Sequence, residues 1–97
     1  MVGDAYTNME LVGAAAYLEC KPAAGQEIVI HNVYHPNDVT LKMVDGSGNE
    51  CDFYDEAGKS MVTNIYFHIT TSQYLRIYNS TGGALYLAAD GVVTKEP

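Results

Sequence analysis

The stretch from Val62 to Lys95 constrains this chain more than any other. Apolar and polar residues alternate through it in short runs, broken by Thr70-Thr71-Ser72, Ser80-Thr81-Gly82-Gly83 and Asp90-Gly91. A period of two is the signature of a half-buried strand, and Gly, Ser, Asp and Asn clusters mark the turns between strands. Ile65, Phe67 and Ile69 are expected inward, with Tyr66 and His68 outward. Leu75 and Ile77 alternate with Tyr74, Arg76 and Tyr78. Leu85 and Leu87 flank an outward Tyr86, and Asp90-Gly91 reads as a tight turn into Val92-Val93-Thr94.

The upstream chain continues the pattern. Glu27 to His35 reads as a strand with Ile28, Ile30, Asn32 and Tyr34 on one side and Val29, His31, Val33 and His35 on the other. Pro36-Asn37-Asp38 is a turn, and Val39, Leu41 and Met43 alternate after it. Asp45 to Asn49 is a hairpin loop, Glu50 to Tyr54 a short strand, and Asp55 to Ser60 the next loop. Ala15 to Cys20 reads as a strand despite its alanines, because Gly13, Pro22 and Gly25 punctuate the segment. Residues 1–10 read as a flexible N-terminal arm, and residues 11–97 as a single domain. No amphipathic helix of three turns is visible. Turn signals about every 8 to 12 residues over about seven to eight short strands predict an all-β fold, a small antiparallel β-sandwich or barrel.

Charge and cysteine usage narrow the function classes. Twelve acidic against five basic residues give a net charge of −7. Direct nucleic-acid binding needs a basic face, and an anionic membrane surface repels such a chain. Cys20 and Cys51 are too few for a disulfide scaffold; buried free thiols are the expected state, with a single bridge between the two as the alternative. No charged segment followed by an apolar run opens the chain, so the reading is a protein made in a cytoplasm. Asn79-Ser80-Thr81 fits a glycosylation sequon but is expected to be a polar turn.

The constellations that suggest chemistry dissolve on inspection. His31 and His35 would stand about 13 Å apart along a strand, too far to share one metal ion. Asp45, Ser47, Asn49 and Glu56 fall at calcium-loop positions 1, 3, 5 and 12, but Glu50 stands where the loop requires glycine and Asp52 where it requires an apolar residue. Nothing like Gly-x-Ser-x-Gly surrounds a serine, and Gly82-Gly83 opens no phosphate-binding helix. The expectation is a non-enzyme with no catalytic residues, no cofactor and no metal. Eight tyrosines and no tryptophan suit a half-wet sheet face or an interface. Tyr66, Tyr74, Arg76, Tyr78 and Tyr86 are the expected interaction face.

Several phrases in the chain resemble one family. Lys21-Pro-Ala-Ala-Gly-Gln-Glu-Ile-Val-Ile-His-Asn-Val-Tyr-His35, the Asp45-Gly-Ser47 hairpin, Ile69 to Ser80 and the tail Tyr86 to Lys95 are similar to small structural proteins encoded among the virion genes of tailed bacteriophages. The likeness covers residues 20–95 and departs at Ala88-Ala89, where glycine or an aromatic is expected before Asp90-Gly91. It implies a small β-sandwich that decorates or cements a capsid, bound to the major capsid protein lattice on the capsid exterior. Homo-oligomerisation, with a trimer favoured, follows from the same likeness. A glycan- or receptor-binding module of a tail fibre or appendage, or a head–tail adaptor, is the alternative role.

Overall fold

The structure, a computed structural model, describes residues 1–62 and 66–97, apart from the side chains of Glu56 and Ser60. Among the described residues the chain forms nine strands and no helix. In chain order they are β1 (Ala5–Val12), β2 (Tyr17–Cys20), β3 (Glu27–His35), β4 (Val39–Asp45), β5 (Glu50–Glu56), β6 (Ser60–Val62), β7 (Phe67–Ile69), β8 (Gln73–Asn79) and β9 (Leu85–Lys95). They build two antiparallel sheets. One runs β1-β9-β3-β6 with β7 also on β3, and the other runs β2-β8-β4-β5. The fold is a small β-sandwich, as the turn spacing predicts.

The core lies between the inner faces. Ile28, Ile30, Val33, Leu87 and Val93 of the five-stranded sheet meet Leu18, Leu41, Leu75 and Ile77 of the four-stranded one. These are β-branched or leucine side chains on a pleated surface, and burying each contributes about 1.5–3 kcal/mol. Phe53 of β5 stacks on Phe67 of β7 with ring centroids 5.4 Å apart and planes 7° from parallel, which closes one side of the sandwich.

Four departures from the sequence reading have physical causes. Residues 1–10 are not a free arm, because Ala5–Val12 pairs with β9 over eight residues in an unbroken register. Its alternation is hard to see in sequence because the apolar Met9 and Leu11 face outward while Tyr6 and Asn8 face in. The β3 faces differ from simple alternation: Ile30 pairs with Gly91 and Asn32 with Asp90, so His31 is a bulge residue. Val33 and His35 therefore turn inward, and Asn32 and Tyr34 outward. Asp90-Gly91 is not a turn but the middle of β9. A Cβ on Gly91 would stand 1.9 Å from the Val29 carbonyl oxygen, so glycine is there to let two backbones approach. The expected strand from Val62 to Ile69 is two strands, β6 and β7, both on β3; Ile65 lies outside the described residues.

One end of the sandwich is tied by Asn79, which is wholly buried. Its Nδ2 donates to the carbonyls of Val12, Gly13 and Gly83 at 3.1, 3.1 and 2.9 Å. Its Oδ1 accepts from the Thr81 amide and hydroxyl at 2.9 and 2.6 Å. The sequon asparagine thus links the β1–β2 turn to the β8–β9 turn, and its amide is spent inside the protein.

Candidate protein-binding face

The outer faces of the two sheets differ in kind. On the four-stranded sheet, register lines up Glu19, Arg76, Lys42 and Asp52 in one row. Arg76 Nε donates to Glu19 at 3.2 Å and Nη1 to Glu50 at 2.6 Å, while Lys42 Nζ donates to Asp52 at 2.8 Å. The tyrosines sit between these charges. The Arg76 guanidinium lies 4.2 Å from the Tyr17 ring centre and 5.9 Å from that of Tyr74, and Lys42 lies 5.3 Å from that of Tyr78. Asp52 raises the Lys42 ammonium above its ordinary value by hydrogen bonding. Tyr74, Arg76 and Tyr78 are therefore engaged in a ladder of ion pairs and cation–π contacts within their own sheet.

The five-stranded sheet presents the opposite chemistry. Register places Met9, Ala88, Tyr34 and Met61 in one row across β1, β9, β3 and β6, with Leu11 opposite Tyr86 beside it. Exposure runs from 38% at Tyr34 through 46% at Met61 to 65% at Met9. Met9, Tyr34, Tyr86, Ala88 and Lys59 border an open depression of ≈ 340 Å³. Asp90 is the carboxylate next to this row, and it is held in place: Asn32 Nδ2 donates to one carboxylate oxygen at 2.7 Å and the Tyr34 hydroxyl to the other. The same bond raises the Tyr34 phenol above its ordinary value. The remaining charges of this face, Glu27 with His68 at 2.7 Å and Lys95 at 3.6 Å, gather at the far end of β3. Adjacent exposed apolar side chains with one satisfied carboxylate and a lysine at the rim have the anatomy of a protein interface.

The five residues expected to form one interaction face do not share one. Tyr74, Arg76 and Tyr78 lie on the four-stranded sheet, and Tyr86 on the five-stranded sheet. Tyr66 precedes β7, 78% exposed, with its ring edge-on to His31 at 5.5 Å. Alternation alone does not say which sheet a strand joins, and that assignment separates them. The sequence reading missed Met9, Leu11, Tyr34, Met61 and Ala88. The Thr7-Asn8-Met9-Glu10-Leu11 alternation was the available signal for the first two; the His31 bulge hid Tyr34.

No family model matches this chain, and a comparison with curated proteins finds no match.

The expected chemical constellations are also resolved by placement. His31 is half-buried at the bulge, whereas His35 is buried with its Nδ1–H shared between the carbonyls of Asn37 and Gly58 at 3.0 and 2.9 Å. Asp45 of the calcium-like loop takes the Ser47 amide at 2.8 Å, the Asn49 amide at 3.0 Å and the Asn49 side chain at 2.9 Å. Those bonds hold its carboxyl below the ordinary aspartate value. Asp52 binds Lys42, and Asp55 accepts from Thr40 at 2.8 Å. Among the described residues no three His, Cys, Asp or Glu side chains converge on a metal position. Both cysteines are free. Cys20 is buried, and burial pushes its thiol up to about 11. Cys51 is exposed, contrary to expectation, because β5 is the edge strand of its sheet.

Proposed function

We propose that this chain is a non-enzymatic virion structural protein, a capsid decoration or cement protein that binds the major capsid protein lattice from the capsid exterior. The observation that carries the reading is the apolar outer face of the five-stranded sheet: Met9, Leu11, Tyr34, Met61 and Tyr86 exposed in a chain of net charge −7. High net charge keeps a protein dispersed before assembly, and a charge-poor aromatic and methionine patch gives it somewhere to adhere. The resemblance read in the strand and turn phrases of residues 20–95 to small virion structural proteins of tailed bacteriophages supports the lattice as that partner.

Cosedimentation with capsids lacking decoration tests this. The wild-type protein is expected to pellet with the particles. A Tyr86→Glu, Met61→Glu double variant with an unchanged melting curve is expected to stay in the supernatant. Equal pelleting of the two proteins overturns the reading, as does absence of the protein from the particle surface in electron micrographs. Glycan-array binding lost on Tyr66→Ala points instead to an appendage that recognises a host surface.

A further inference from the structure

An edge strand exposes unpaired backbone N–H and C=O groups, and folded proteins blunt such edges with short strands, charges, prolines or bulges. Most edges here are blunted. β2 has four residues, and β6 and β7 have three each. β5 is bulged at Phe53 and carries Glu50, Asp52 and Asp55. β1 is different: eight residues, no bulge against β9, no proline or lysine, and Glu10 as its one charge. Among the described residues no strand pairs with its outer edge.

The groups that face this edge follow from the ladder. The Val93 amide donates to the Asp4 carbonyl at 3.0 Å, in line with the register that pairs Ala5 with Val92. Antiparallel pairs alternate between bonded and non-bonded. Tyr6, Asn8, Glu10 and Val12 therefore exchange hydrogen bonds with β9. The N–H and C=O of Ala5, Thr7, Met9 and Leu11 point away from it.

We propose that β1 pairs antiparallel with β1 of a second copy of this chain, about a twofold axis. With Asn8 opposite Asn8 of the second copy, Ala5 meets Leu11 and Thr7 meets Met9, so all four open residues find backbone partners. Glu10 then faces Tyr6 of the second copy, and no like charges are opposed. The −7 of each copy is no obstacle, since Glu50, Asp52 and Asp55 sit on β5, at the edge of the other sheet far from β1, and Glu19 of the nearer β2 is paired with Arg76. The contact is self-complementary and closes as a dimer, not the trimer expected from the sequence. It places Met9 and Leu11 of both copies beside the axis, which makes one apolar surface of two. The pairing stands whether or not the partner of that surface is a capsid.

Sedimentation equilibrium of the full chain over a concentration series is the test. The expected species has twice the chain mass. Thr7→Pro removes one edge-facing N–H and leaves the β9 ladder intact, so it is expected to be folded and monomeric. In the wild-type chain, amide exchange at Thr7 and Met9 is expected to slow on the order of tenfold or more from dilute to concentrated solution. A monomer at all concentrations, a trimer, or a dimeric Thr7→Pro variant overturns the proposal. If Thr7→Pro unfolds, wild-type exchange decides alone: equal rates for both amides at the two concentrations overturn it.

Discussion

Gly91→Ala is the sharpest single test of how the five-stranded sheet is built. A methyl group there would meet the Val29 carbonyl oxygen at 1.9 Å, the Val29 carbonyl carbon at 2.8 Å and the Ile30 Cα at 2.9 Å. Non-bonded heavy atoms settle at about 3.5 Å, so β3 and β9 would have to part locally by roughly 1.5 Å. All three obstacles are backbone, so no side-chain rotation relieves them. The strain falls on β9, which lies between β1 and β3. Overpacking of this kind costs about 1–3 kcal/mol, and the backbone clash puts Gly91→Ala at about 3 or above. In a domain of this size that lowers the melting temperature by roughly 12–24 °C. Gly82→Ala is the control, since a methyl group at that position would meet nothing within 4 Å. Melts followed by circular dichroism compare the two. A Gly91→Ala melt within about 3 °C of wild type would refute the close approach and the sheet register derived from it.

Three further outcomes follow from particular groups. Asn79→Ala strips a donor from three carbonyls and an acceptor from Thr81, and is expected to lower stability by about 2–4 kcal/mol in urea titrations; a loss below about 1 kcal/mol contradicts the buried network. With a thiol reagent at neutral pH, Cys51 is expected to react at once and Cys20 only on unfolding, so Cys51→Ser should abolish the fast phase. Asp45 has a depressed folded-state pKa, so its stabilisation is present above the ordinary aspartate value and lost as pH falls through the depressed one. The stability gap between wild type and Asp45→Ala should therefore be full at neutral pH and close in acid; a gap that widens in acid reverses the sign.

The two-layer β architecture was legible because period-two alternation and turn chemistry are local properties. The strands at Glu27–His35 and Gln73–Asn79 have the bounds their sequence suggests. Sheet membership was not legible, because it depends on which strand each hairpin passes over. That is why Tyr78 and Tyr86, eight residues apart and alike in pattern, end on opposite sides of the molecule. Gly91 misled for a related reason. Asp-Gly is a turn signal in isolation, yet here the missing side chain makes room for a neighbouring strand. The apolar face was hidden by its distribution over β1, β3, β6 and β9, none of which shows more than a few of its residues in sequence.

The bulge at His31 makes the middle of β3 tolerant of a change in length. Loss of one residue inside a strand ordinarily exchanges its two faces and turns a sheet inside out. Here the ladder passes from Ile30–Gly91 to Asn32–Asp90 with His31 to spare. A codon deletion at that position would straighten β3 and still leave Val33 and His35 in the core, with Asn32 and Tyr34 outside. The same deletion at Ile77, in the unbroken pairing of β8 with β4, would bring Tyr78 into the core and send Asn79 to the surface.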